Sequence, residues 1–134
     1  MRFLRFLPFI AVGFLLILHG FAHTPAILGS WDLATFDDVS RQPNALFTNA
    51  SEGLLVVLGL FWLIAALSFV AAGVGLIRQT SWWPLAAGIA LVVSTTMTLL
   101  WHNDAVVGLV LNIILLAAFM IWVVIGTMWQ QQPA

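Results

Sequence analysis

Four apolar runs dominate the chain, at about residues 6–28, 53–76, 82–101 and 105–128. Each is close to the roughly 20 residues a helix needs to cross a hydrocarbon core about 30 Å thick. In hydrocarbon every backbone N–H and C=O must be paired within the protein, and a helix achieves this inside one segment. The runs therefore predict four membrane-spanning helices. Polar interruptions are scarce: 63% of the 134 residues are hydrophobic and 7% are charged, with a mean hydropathy of +1.10, whereas a soluble domain carries roughly 25% charged residues.

The first run follows Arg2 and Arg5 and has the outline of a signal peptide. Its length, and the lack of a small-x-small cleavage site after a short core, favour a retained span. Short cytoplasmic loops collect Lys and Arg. The chain has no lysine; Arg2, Arg5 and Arg78 fall on one side of the spans and Arg41 on the other. This predicts cytoplasmic termini and an outer loop at about 29–52, carrying Asp32, Asp37, Asp38 and Glu52. Trp31 and Trp101 at the outer boundary, and Trp82, Trp83 and Trp129 at the inner one, are placed as aromatic belts.

Short connections after spans 2 and 3 make antiparallel neighbours the simplest arrangement, so the expected fold is an all-α integral membrane protein, one antiparallel four-helix bundle over residues 1–134. Pro84 suits the first turn of span 3, and Asp104 is placed to cap span 4. Pro25 should bend or end the first helix soon after His23. In the long loop, Leu33, Phe36 and Val39 against Asp37, Asp38 and Arg41 have the spacing of a short interfacial helix. Ala86, Ala90, Ser94, Thr98 and His102 recur every four residues on span 3, with Gly13 and Gly20 on span 1 and Ala105, Gly108 and Asn112 on span 4. Small residues at such spacing let membrane helices approach closely.

The three histidines are costly in hydrocarbon, and such residues mark sites or tightly satisfied contacts. At a rise of 1.5 Å per residue, His19 lies roughly 20 Å and His23 roughly 26 Å into span 1, and His102 near 30 Å into span 3. Asn112 lies at about the depth of His19. Two polar tiers result: His19 with Asn112 and Ser94 or Thr98, and beyond them His23 with His102, Asp104 and Glu52. His19 and His23 stand four apart on one helical face, the spacing by which two imidazoles reach one metal ion. A third imidazole from His102, with Asp104 or Glu52, would complete a site for zinc, copper or iron. A haem on His23 and His102 is an alternative, as is a quinone hydrogen-bonded to one histidine and to Asn112. The remaining alternative is that the polar residues only satisfy one another and fix helix register.

Several classes are excluded. Without cysteine there is no disulfide, thiol or iron–sulfur chemistry. A formal charge of −1 supplies no basic patch for nucleic acid. No nucleophile–base pair or glycine-rich phosphate loop supports hydrolysis or phosphoryl transfer. Asn49-Ala50-Ser51 matches a glycosylation sequon, which matters only in a eukaryotic secretory route.

The four-span layout, His19-Gly20-Phe21-Ala22-His23, the small-residue end of span 2 at Ala71-Ala72-Gly73-Val74-Gly75-Leu76, and Trp82-Trp83-Pro84 together resemble the DoxX-like small bacterial membrane proteins. That resemblance implies a multi-pass bacterial inner-membrane protein working beside redox enzymes, often as a subunit. The expected function is a small subunit or homo-oligomer with a histidine-rich metal or redox-cofactor site near the periplasmic face. Its alternatives are a structural accessory subunit without chemistry and a binder of quinone or apolar lipid between spans.

Overall fold

The computed structural model describes residues 2–45 and 49–130, with side chains described within 6–45 and 49–124. It is all-helical apart from turns and an isolated bridge between Phe36 and Val39. The helices are α1 (Arg2–Phe21), α2 (Thr24–Ser30), α3 (Glu52–Ile77), α4 (Trp83–Leu100) and α5 (Val106–Gln130). Four segments are long and apolar enough to cross a membrane: Phe6–Ser30, Glu52–Ile77, Trp83–Leu100 and Val106–Val124. The chain is a multi-pass membrane protein whose apolar outer surface suits a lipid bilayer. The side chains of Arg2, Arg5 and Trp129, used above for orientation and anchoring, lie outside the described residues.

Helix ends follow local chemistry. Pro84 sits in the first turn of α4, where its missing N–H costs nothing. Ser51 caps α3, its hydroxyl accepting from Leu54 N. Pro25 does not terminate the first span as expected. The break falls earlier, at Ala22–His23, and Pro25 lies in the first turn of α2, because a residue without an N–H starts a helix more readily than it continues one. At the end of α3, Gln79 takes a left-handed φ of 55° and Thr80 N bonds back to Gly75 O at 2.9 Å. This is the Schellman ending, here made without glycine.

α3 is the hub, packing against α1, α2 and α4. Where α1 crosses it the backbones nearly touch: a Cβ at Gly13 would lie 2.7 Å from Gly73 O, and one at Gly20 would lie 2.7 Å from Ala66 O. Two apolar clusters fill the interior. One, towards the long loop, gathers Leu55, Leu58, Trp62, Met97 and Trp101. The other, towards the 78–82 turn, gathers Leu16, Phe69, Ala72, Leu76, Ala87 and Leu91. Along α4, Ser94 falls between the members of the two clusters, at the level of a polar layer. By contrast α5 is thinly attached: Asn112 is the one buried residue of Val106–Val124, against eleven in α3.

The long loop corrects three expectations. Residues 31–45 form turns instead of an interfacial helix, since the loop backbone is bonded elsewhere. Ser40 N donates to Asp104 Oδ2 at 2.9 Å, Ser40 O accepts from Trp101 Nε1 at 2.9 Å, and Asn44 N donates to Leu100 O at 2.9 Å. Asp104 is thereby drawn to the loop instead of to the start of α5. Trp101 is no belt residue: it is 2% exposed and packs on Trp62 with ring centroids 5.7 Å apart. Its N–H is satisfied by Ser40, which allows the whole indole to enter the core.

Candidate polar site between α1, α4 and α5

The polar layer is built from three helices. α1 supplies His19, the turn after it His23, α4 Ser94 and Thr98, and α5 Asn112. Ser94 and Thr98 come from the four-residue stripe of α4, which is buried over Ala90, Ser94 and Thr98. Asn112 is fully buried and is the centre of the network. Its Oδ1 meets His19 Nε2 at 2.9 Å, and its Nδ2 donates to Ser94 Oγ at 2.7 Å and to Thr98 Oγ1 at 3.3 Å. Ser94 Oγ in turn meets His23 Nε2 at 2.9 Å. Four side chains thus form one unbroken chain, His19–Asn112–Ser94–His23. Such a chain leaves these buried polar atoms satisfied, the condition for tolerating them in an apolar interior.

Aromatic rings frame the layer. The two imidazoles stand edge to face with centroids 5.1 Å apart. Phe69 lies against His19 at 4.6 Å and against His23 at 5.7 Å, and Trp62 lies against His23 at 5.1 Å. On the loop side of the layer is a cavity of about 240 Å³, walled by His19, His23, Trp62, Thr98, Trp101 and Asp104 together with apolar residues of α2 and α5. On the other side lies a second cavity of about 240 Å³ with an almost wholly apolar wall, including Leu16, Phe69, Trp83, Phe119 and Trp122. Phe69 is common to the imidazole contacts and to this second cavity.

The candidate residues divide accordingly. His19, His23, Ser94, Thr98 and Asn112 come together, and the depth match of His19 with Asn112 is present as a hydrogen bond. His23 does not pair with His102 in these bonds; Ser94 takes that place. His102 lies beyond the end of α4, exposed in the turn, because its neighbour Trp101 turns into the core. Glu52 is engaged by Arg41 in a two-pronged ion pair, Nη1 to Oε1 at 3.0 Å and Nη2 to Oε2. That hydrogen bonding raises the Arg41 pKa further above its ordinary value and fixes the guanidinium as a cation. Asp104 lines the loop-side cavity but gives one oxygen to Ser40. Among the described residues no group of three or more His, Asp or Glu is gathered closely enough to hold a metal ion.

Trp62, Trp101 and Phe69 were missed from sequence. A signal was available for Trp62: it lies mid-span, away from the interfaces where membrane tryptophans usually sit. Compared with known proteins, the chain matches no family model, no curated protein and no solved structure.

Proposed function

We propose that the loop-side cavity binds the polar head of a membrane-soluble molecule of the quinone or lipid class, and that presenting this site is what the protein does. The observation that carries the reading is the cavity wall. Four residues with polar side chains, His19, His23, Thr98 and Asp104, line one space otherwise walled by apolar and aromatic side chains, the composition that suits small-molecule sites. Both histidines already spend Nε2 on the layer beneath, which favours hydrogen bonding to a guest over convergence on a metal. We further propose an antiparallel bundle with both termini cytoplasmic, in a bacterial inner membrane, with this cavity at the periplasmic face. The apolar flank of α5 would then face lipid, other membrane subunits or further copies of the chain.

The test is mass spectrometry of molecules extracted from gently purified protein. A near-stoichiometric guest with a polar head and apolar tail is expected, and it should be lost in Gly108→Phe, which fills the cavity from α5. Gly108 is the better position than Gly20, because a Cβ there meets Thr98 Cγ2 at an ordinary 3.5 Å. A folded protein with no guest, or a guest retained by the variant, overturns the proposal.

A second reading, a metal site, is favoured by one observation: His19, His23 and Asp104 line the same cavity. Two imidazoles supply part of a donor set for zinc or iron; Asp104 is not gathered with them closely enough to complete it, so the site would need Asp104 to move or water to supply the remaining ligands. Elemental analysis decides it, with metal expected in the wild type and lost in His23→Ala.

A further inference from the structure

We infer that His23 and Trp62 form a pair of N–H donors in the loop-side cavity, selecting a guest whose head carries a carbonyl-type acceptor oxygen. This rests on the cavity being a binding site, as proposed above. The single hydroxyl proton of Thr98 goes to a backbone carbonyl oxygen, Ser94 O at 2.9 Å. Towards Asn112 the Thr98 oxygen can therefore only accept, so the amide group facing it is Nδ2. The other end of the amide, Oδ1, is an acceptor and requires a proton on His19 Nε2.

Ser94 accepts from Asn112 Nδ2. Its own hydroxyl proton then has one partner among the described bonds, His23 Nε2. Reversing that bond would strand the hydroxyl proton of a fully buried serine, which is unfavourable. A neutral His23 bonded this way carries its proton on Nδ1, fixed by its partner on the other nitrogen. Ser94 is thus a positioning residue that makes His23, a residue of the cavity wall, a donor through the nitrogen the layer does not use.

Independently, the indole Nε1 of Trp62 is buried and has no hydrogen-bond partner. Trp62 is 3% exposed, lies with its ring 5.1 Å from that of His23, and lines the same cavity. Buried indole N–H groups usually find an acceptor. Two neighbouring donors without an acceptor call for a guest oxygen. A carboxylate head is disfavoured, because Asp104 lines the same space and would repel it and because a charge is costly among membrane spans. A neutral carbonyl oxygen, as on a quinone ring, meets the requirement.

The experiment uses the full chain in lipid nanodiscs with two probes of equal tail, decylbenzoquinone and decylbenzene, read by titration calorimetry, together with the nitrogen NMR of histidine. Decylbenzoquinone is expected to bind wild type more tightly than decylbenzene, and Trp62→Phe should weaken the quinone about fivefold to tenfold, the scale of one hydrogen bond, while leaving decylbenzene unchanged. The His23 resonances should show the proton on Nδ1 in wild type and a redistribution between the two nitrogens in Ser94→Ala. If neither probe binds wild type, the cavity reading itself fails and this inference with it. If decylbenzoquinone binds but shows no preference over decylbenzene, or Trp62→Phe binds it equally well, the donor pair is overturned and the cavity reading stands. Wild-type His23 protonated on Nε2 also overturns the inference, with no variant needed. Retained decylbenzene binding certifies that Trp62→Phe is folded; if it is lost, the wild-type probe preference and the His23 tautomer decide.

Discussion

Asn112 is, among the described residues, the one fully buried polar side chain that α5 brings to the interior, and its three hydrogen bonds reach α1 and α4. Interhelical hydrogen bonds in membranes average well under 1 kcal/mol each and rarely exceed 1.7. Replacing Asn112 by Leu should therefore cost about 1–2 kcal/mol, measured by detergent-driven unfolding; an unchanged transition would show that the network carries no stability. His102→Ala should shift the same transition by less than about 0.5 kcal/mol, as for surface changes generally. The contrast tracks what the sequence discloses at this scale. Helical rise locates His19 and Asn112 at one depth because both lie within helices. It misplaces the partner of His23 because His102 lies past the end of α4, where the path of the turn, and the burial of Trp101 beside it, decide which way the side chain points.

At the scale of elements, the tight crossing and the loose one make opposite forecasts. Gly20→Ala drives a methyl towards Ala66 O on α3, and overpacking of that kind costs about 1–3 kcal/mol. Gly108→Ala meets Thr98 at ordinary contact distance and should be neutral within about 0.5 kcal/mol; thermal unfolding of the two variants side by side gives the comparison. Asp104→Ala releases Ser40 N from its carboxylate and should raise amide exchange across residues 36–42, whereas exchange in α3 stays unchanged. The spans themselves were readable, since their limits follow from apolar run length to within a few residues. The loop between α2 and α3 was not: its alternating pattern fits a helix, and the bonds that dismiss the helix come from Trp101, Asp104 and Leu100, some sixty residues away.

For the whole molecule, the absence of native cysteine makes topology directly measurable. With cytoplasmic termini, a single cysteine at Asp37 should react with a membrane-impermeant maleimide in intact cells, and one at Ser81 only after permeabilisation. The opposite pattern would invert the proposed orientation and place the histidine cavity at the cytoplasmic face. Arginine placement gave this expectation, but the thin attachment of α5 was invisible to it, because a uniformly apolar helix reads the same whether its faces meet protein or lipid. That attachment sets how a guest would come and go. Among the described residues α1 and α5 are not a packed pair, and the hydrogen bond described between them is His19–Asn112, across the polar layer. Exchange would then be sideways, by diffusion in the plane of the bilayer, with the lifetime of one hydrogen bond as its gatekeeper and the water-filled compartments on either side as bystanders.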